Sequence, residues 1–332
     1  LRELSEFFKA KSMLPTIDHP LRFEPFLRPM IWGGRRFARF LGKNLLTAEL
    51  YGESWEVSDH PLHSSRLATA SGFGVSLRQL MEQQYSELLG PAAGRFAVFP
   101  WLFKLLDAND WLSVQVHPNE EAARLLSGGE LAKTEAWYIL DATAEARIYA
   151  GLKQGLGLQQ MRDAVQSGNV TACLHSFTPK VGDFIYLPAG TVHAVGGGVL
   201  FAEIQQTSDA TFRLFDWNRV DAHGKPRPLH LDQAFASIHW DQGPIDPIAA
   251  NGAARQHLVT CPYFEVERCR WTNSTSLGGA GRLQALVVTE GRGRFANGEF
   301  FMPGDVWIFP AAMPSMALSL DSPLAGLVCS LP

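Results

Sequence analysis

The 332-residue sequence is short of cysteine, of charge of one sign and of long apolar runs. Its four cysteines, Cys173, Cys261, Cys269 and Cys329, are scattered and form no CxxC pair. That argues against a disulfide framework or a thiolate zinc site and suits reduced thiols in a cytoplasmic enzyme. The formal net charge is only −4, which gives no general attraction to nucleic acid or to an anionic membrane surface. No stretch approaches the roughly 18 apolar residues that a bilayer-crossing helix needs. Residues 1–12 also lack the apolar stretch and small-residue cleavage site of a signal peptide. Histidine is absent after His257.

What is present is enough apolar material for a large core. The chain is 46% hydrophobic and 19% charged, which fits two domains or one long all-β unit with additions. Residues 1–20 read as a tail or short helix ending near Pro15 and Pro20. Short apolar runs between Gly and Pro then mark strands, among them the segments around Phe26, Tyr51–Ser58, Pro100–Leu106, Leu112–Val116, Thr134–Leu140 and Arg147–Ala150. Helical periodicity appears over Ser76–Leu89 with Ser76 as N-cap, over Asn119–Leu126 closed by Gly128-Gly129, and over Leu158–Val165. From Thr178 onward strands dominate, at 184–187, 191–195, 199–205 and 211–215. Residues 241–255 form the best linker candidate. Beyond it, Met302–Pro310 echoes Lys180–Pro188, so the chain is expected to hold two related β units, at 21–240 and 256–332.

The first of these repeats continues into chemistry. Residues 182–193 read Gly-Asp-Phe-Ile-Tyr-Leu-Pro-Ala-Gly-Thr-Val-His, with Gly182, Pro188, Gly190 and His193 at G-x5-P-x-G-x2-H. Gly182 turns the chain into a strand, and Pro188 with Gly190 breaks the ladder into a tight turn before His193. The run resembles the second half of the metal-binding signature of the cupins, small double-stranded β-helix barrels (jelly rolls). The fold expected is therefore mainly β, with two such barrels and a few helices added to the first.

One histidine is half a metal site. On the strand Val114-Gln115-Val116-His117, alternation puts Gln115 and His117 on one face. Glu135 sits in the otherwise apolar run Ala136–Leu140, where an unpaired carboxylate is costly and a cation would offset the cost. Gln115, His117, Glu135 and His193 supply two nitrogens and two oxygens. That donor set suits zinc, with manganese, iron or cobalt as substitutes. The second unit has Met313 and Pro314 where the first has His193, so it reads as structural. His60 and His63 flank Pro61 and read as loop residues, and His175, His223, His230, His239 and His257 have no spacing logic.

Five ordered islands carry a closer resemblance. They are Gly52–Ser58, Leu112–Pro118, Gly129–Trp137, Pro188–His193 and Glu203–Trp217. Together they resemble type I mannose-6-phosphate isomerase in its shorter bacterial form, over residues 21–240 and more loosely over the tail. The resemblance implies a zinc-dependent aldose–ketose isomerase acting on mannose 6-phosphate and fructose 6-phosphate, with one Zn2+ per chain held by Gln115, His117, Glu135 and His193. It maps the catalytic arginine onto Arg213 and the phosphate and substrate contacts onto Ser113 and Lys133. The chain departs from the pattern with Phe212 in place of Tyr and Ala136 in place of Cys.

Such a reaction moves hydrogen between C1 and C2 through a cis-enediol and needs a general base. Glu203 is the first candidate, Lys133 the second and a zinc-bound water the third. Lys104 is a weaker phosphate candidate, and Asp216, Asn218 and Arg219 read as ordering the loop after Arg213. The partner expected is a small sugar phosphate, with no nucleic acid and no membrane, in a monomer or homodimer. An iron-dependent cupin dioxygenase and a non-enzymatic sugar-binding or storage cupin are the rival functions. The Q-x-H pair, the distant Glu135 and the Lys/Arg set argue against the first, and confinement of the ligands to one barrel against the second. Within isomerases, acceptance of unphosphorylated mannose is a third alternative.

Overall fold

A computed structural model describes residues 14–69, 72–126, 129, 131–220 and 223–332. Most of the proposed N-terminal tail, residues 1–13, and Gly128 of the proposed helix stop lie outside the described residues. The architecture is mainly β, built from antiparallel sheets.

In the N-terminal part, a six-stranded sheet runs in the spatial order Phe184–Leu187, Glu135–Ala142, Val199–Gln206, Trp101–Ala108, Tyr51–Val57, Phe26–Gly34. A five-stranded sheet runs Leu174–Phe177, Ile148–Leu152, His193–Val195, Val114–Val116, Phe212–Phe215. The period of two sorts their side chains. In the five-stranded sheet, Val114, Val116, Val192, Ala194, Phe212 and Leu214 join one apolar cluster with Met161 and Ala234 of the helices Leu158–Gln166 and Leu231–Ser237. Gln115, His117, His193 and Arg213 alternate with them and take the other face.

The six-stranded sheet is sorted in the same way. Trp137, Ile139, Ile185, Leu187 and Phe201 share an inner cluster with Leu106. Ala136, Tyr138, Phe184, Ala202 and Ile204 face outward into a core that also holds Val266, Leu283, Ala285, Ile308 and Leu327 from the C-terminal part.

The C-terminal part has a six-stranded and a four-stranded antiparallel sheet. Its interior is filled by Phe295, Phe301, Trp307, Phe309, Met313 and Leu318, all buried. Residues Leu21–Arg22 pair with Trp307 and Ile308, so the start of the described β structure belongs to the C-terminal sheet. Residues 241–255 carry little regular structure but are anchored, with Ile248 bridging Phe184 and the Ile245 amide donating to the Ala150 carbonyl at 3.1 Å.

Three local readings change. The helix expected over Ser76–Leu89 is two helices, Leu77–Gln83 and Tyr85–Leu89, because Gln84 leaves helical geometry at φ −133° and ψ 35°. Ser76 does cap the first, in a reciprocal capping box with Gln79. His60 and His63 are paired across a short hairpin. The helix Arg36–Leu41 had no counterpart in the sequence reading.

Candidate metal centre

The two sheets of the N-terminal part face each other across a cavity of about 170 Å³. Strand register builds one wall. Arg213 lies opposite Gln115, and Gln115 lies opposite His193, so the three form a row across the five-stranded sheet. The other wall is a row on the six-stranded sheet in which Trp137 pairs with Glu203, Glu203 with Lys104 and Lys104 with Trp55. Glu135 stands two residues from Trp137 on the same face.

The turn between Leu187 and His193 ties the chain around His117 to the strand of His193. Gly190 has φ 86°, a conformation that favours glycine, and its N–H donates to the His117 carbonyl at 2.8 Å. The chain then enters the strand that begins at His193. His117, Glu135 and His193, all buried, bring one potential ligand atom each within 4.8 Å of one another. They are the one such cluster of His, Cys, Asp and Glu among the described residues.

Both imidazoles are oriented by the backbone. His117 Nδ1 is 2.6 Å from the Ala210 carbonyl and His193 Nδ1 is 3.0 Å from that of Thr191. Each bond places the proton on Nδ1 and turns the Nε2 lone pair inward, the usual arrangement behind a ligating histidine. His117 Nε2 lies 3.4 Å from Glu135 Oε2, and His193 Nε2 lies 3.4 Å from Glu135 Oε1. Burial is the main force holding His117 well below the usual histidine range and bringing His193 down to about 4, with the Lys133 charge adding to both. Both rings are therefore neutral at pH 7, the form that binds a metal ion.

The arrangement leaves a deficit. His117 Nε2 is buried with no hydrogen-bond partner, and Glu135 Oε2, also without a hydrogen bond, has only the ion pair with Lys133 Nζ at 3.0 Å. An unpaired buried acceptor costs about 1–3 kcal/mol, more when it is charged. A divalent cation bound between the two imidazoles and the carboxylate would satisfy both atoms, so the residues fit a metal. Gln115 adjoins the cluster, with its Nε2 3.3 Å from His193 Nε2 and its Oε1 accepting from Ser113 Oγ at 3.0 Å. A half-turn of the carboxamide would exchange N and O and aim an oxygen at the centre.

The remaining candidates surround the cluster. Lys133 Nζ lies 3.0 Å from Glu135 Oε2 and 3.6 Å from Glu203 Oε1. Burial, with the neighbouring Glu135 carboxylate, pushes Glu203 up to about 7. Arg213 lines the cavity, and its buried Nε has no hydrogen-bond partner. Its backbone is held on the far side by His230, whose N–H donates to the Arg213 carbonyl at 2.9 Å. Asp216 accepts from Arg219 Nη2 at 2.6 Å, as expected for a loop-ordering role.

Four cavity residues had been given no role. Glu53 accepts from Arg28 Nη1 at 2.9 Å and from Trp55 Nε1 at 2.7 Å. Asp209 accepts from Lys104 Nζ at 3.2 Å and Arg28 Nη1 at 3.3 Å. Burial works against the charge on Lys104, but Glu53, Asp209 and Glu203 outweigh it and hold the ammonium above its usual range. Lys104 is thus committed to carboxylates. Arg227 also lines the cavity. Glu53 and Asp209 belong to the islands Gly52–Ser58 and Glu203–Trp217; Arg28 and Arg227 carry no spacing signal.

Comparison with known proteins agrees with this geometry. A model of the type I phosphomannose isomerase catalytic domain matches residues 21–146. The chain is 35% identical to the mannose-6-phosphate isomerase ManA of Bacillus subtilis over 306 residues, covering 90% of this chain and 95% of that protein. It is 35% identical to the mannose-6-phosphate isomerase of Streptococcus mutans over 309 residues, covering 91% and 96%. The crystal structure of the mannose 6-phosphate isomerase from Bacillus subtilis superposes with a TM-score of 0.83 at 32% identity, covering 94% of this chain and 99% of that one.

Proposed function

The chain belongs to the type I mannose-6-phosphate isomerases, which are aldose–ketose isomerases, and from that membership we propose that it interconverts mannose 6-phosphate and fructose 6-phosphate with one zinc ion held by His117, Glu135, His193 and Gln115. The observation that carries the metal reading is the buried cluster of His117, Glu135 and His193, in which His117 Nε2 has no hydrogen-bond partner. Two imidazoles and two oxygens form a set that zinc accepts readily. When bound, the metal supplies Lewis-acid polarisation of the sugar carbonyl and its neighbouring hydroxyl.

The chain's own side chains then divide the remaining work. Glu203 faces the same cavity from the six-stranded sheet, close to Lys133 and Glu135, and takes the proton from one carbon and returns it to the other. The product of the first transfer is a cis-enediol. Lys133 holds the sugar oxygens and serves as the partner acid. Ser113 steadies Gln115 and contacts the substrate. Arg213 carries a permanent charge and stabilises the negative charge that develops on the enediol oxygens. Trp137 and Phe201 make that part of the wall apolar and keep water from the reacting carbons.

The two pairs of antiparallel sheets are read as two cupin-type barrels, the first catalytic and the second structural, its interior filled where the first has its cavity. Among the described residues, no helix is long and apolar enough to cross a membrane. Four buried free cysteines suit a reducing compartment, and we place the enzyme in the cytoplasm.

The test is direct. Purified protein is expected to contain about one zinc per chain and to form fructose 6-phosphate from mannose 6-phosphate. Removing the metal with a chelator should abolish turnover and zinc should restore it. Isomerisation that survives complete metal removal would overturn the zinc assignment. Iron content with oxygen consumption would favour the dioxygenase alternative.

A further inference from the structure

The cavity's charges do not balance evenly along its wall. Of its four carboxylates, Glu53 and Asp209 are matched by Arg28 and Lys104, and Glu135 and Glu203 by Lys133. Two lining cations, Arg213 and Arg227, are left over. Arg227 is tied down from behind. Its Nε donates to Asp216 Oδ2 at 2.8 Å and its Nη2 to Asp216 Oδ1 at 2.5 Å.

Asp216 is itself buried, and its single charge is shared with Arg219, whose Nη1 bonds the Trp111 carbonyl. The segment that carries Arg227 runs beside the strand of Arg213, since three residues further on the His230 N–H donates to the Arg213 carbonyl and the Arg213 N–H to His230 Nδ1. Two guanidiniums are thus brought to one wall with one buried carboxylate behind them, and one of them has an unpartnered Nε. Burial and the neighbouring Arg227 charge work against the positive charge on Arg213, and Asp216 and Asp209 offset them only in part. A multiply charged anion bound to Arg227 would offset the repulsion between the two guanidiniums.

We propose that Arg227, held in place by Asp216, is a substrate-binding residue that grips the 6-phosphate at the end of the wall beyond Arg213 and sets the preference for phosphorylated over free sugar. The proposal rests on the isomerase reading. It leaves Lys133, already matched by Glu135 and Glu203, with the sugar oxygens and Arg213 with the enediol oxygens, and assigns the phosphate to Arg227.

Holoenzyme carrying Arg227→Gln is compared with the unaltered chain, with metal content and melting temperature as controls for folding. KM for mannose 6-phosphate should rise at least tenfold. The constant for competitive inhibition by inorganic phosphate should rise by a similar factor, an effect that a purely structural role would not produce. If the Gln variant fails to fold, Arg227→Lys takes its place. An ammonium cannot hold both Asp216 oxygens and reach the anion, so a rise of at least threefold is expected.

Values within twofold of the unaltered enzyme in either folded variant would overturn the proposal. The two readings fail separately. An unaltered chain without isomerase activity whose phosphate binding still depends on Arg227 would lose the isomerase reading and keep the anion site. An active isomerase indifferent to Arg227 would do the reverse.

Discussion

At the scale of single residues, the site separates side chains proposed to hold a metal from one given a different task. His193 contributes a buried side chain to the cluster, whereas Arg213 contributes charge to the wall two strands away. Their replacements should therefore have different signatures. His193→Ala should lose bound metal and activity together; stoichiometric metal in that variant would remove His193 from the ligand set. Arg213→Ala should keep its metal, because no ligand is bonded to its side chain. Its turnover should fall by about 10²–10³-fold, the usual cost of deleting a group aimed at developing charge. Near-normal kcat with full metal content would end the catalytic assignment.

The meeting of His117, Glu135 and His193 was legible from sequence because metal binding imposes residue types at fixed strand spacings. Gln115, His117 and His193 alternate with valines and alanines that pack outward, and that pattern is readable. Arg28 and Arg227 were not legible. Arg28 is held by Asp209, 181 residues away, and Arg227 by Asp216 across an 11-residue loop, and no strand or helix period encodes either contact.

At the scale of elements, the turn between Leu187 and His193 shows why a short motif can position chemistry. Gly190 joins the end of the His117 strand through its N–H and accepts from the His239 amide through its carbonyl at 2.9 Å. A Cβ there would stand 3.0 Å from the Ser237 carbonyl oxygen and 3.0 Å from His239 Cβ, at a φ of 86°. Gly190→Ala combines left-handed strain with a backbone clash, at about 1–3 kcal/mol. The expected result is a lower melting temperature together with weaker metal retention, since the same turn fixes His117 and His193. A fall in stability with metal affinity untouched would show that the turn supports the fold but not the site.

A second strained place is Trp217-Asn218, with φ of 57° and 55°. It is held by Trp217 Nε1 on the Leu112 carbonyl at 2.7 Å, and it directly follows Asp216. The sequence had marked Asp216, Asn218 and Arg219 as loop-ordering residues. It gave no sign of the left-handed pair, because neither residue is a glycine. The broken helix at Gln84 escaped for a related reason. Apolar periodicity runs on through Leu80, Tyr85 and Leu88, and the break lies in backbone angles that periodicity does not report.

At the scale of the molecule, the two β parts are joined by more than a linker. Phe103, Tyr138, Phe184 and Ile204 on the outward face of the first six-stranded sheet share one core with Val266, Leu283, Ile308 and Leu327 of the second. Leu21–Arg22 pairs with Trp307 and Ile308, Trp101 Nε1 donates to the Tyr263 carbonyl at 2.9 Å, and Arg268 Nη1 donates to the Gly182 carbonyl at 3.0 Å. The last of these contacts reaches the turn that begins the metal motif. Echoing segments at 180–188 and 302–310 suggested two units but could not show that their sheets pack face to face, because the outward residues of each look like ordinary alternating strand positions.

Exposing either half alone would uncover Phe184, Phe103 and their partners at about 25 cal/mol per Å² of apolar surface, a penalty that neither half offsets by itself. The halves should therefore unfold together. Calorimetry of the holoenzyme is expected to show one transition with matching calorimetric and van't Hoff enthalpies. Stripping the metal should lower that whole transition, since a ligand bound only to the native state stabilises everything that unfolds with its site. Two transitions, with only one responding to metal, would mean that the shared core does not couple the parts and that the C-terminal sheets stand independently of the site they pack against.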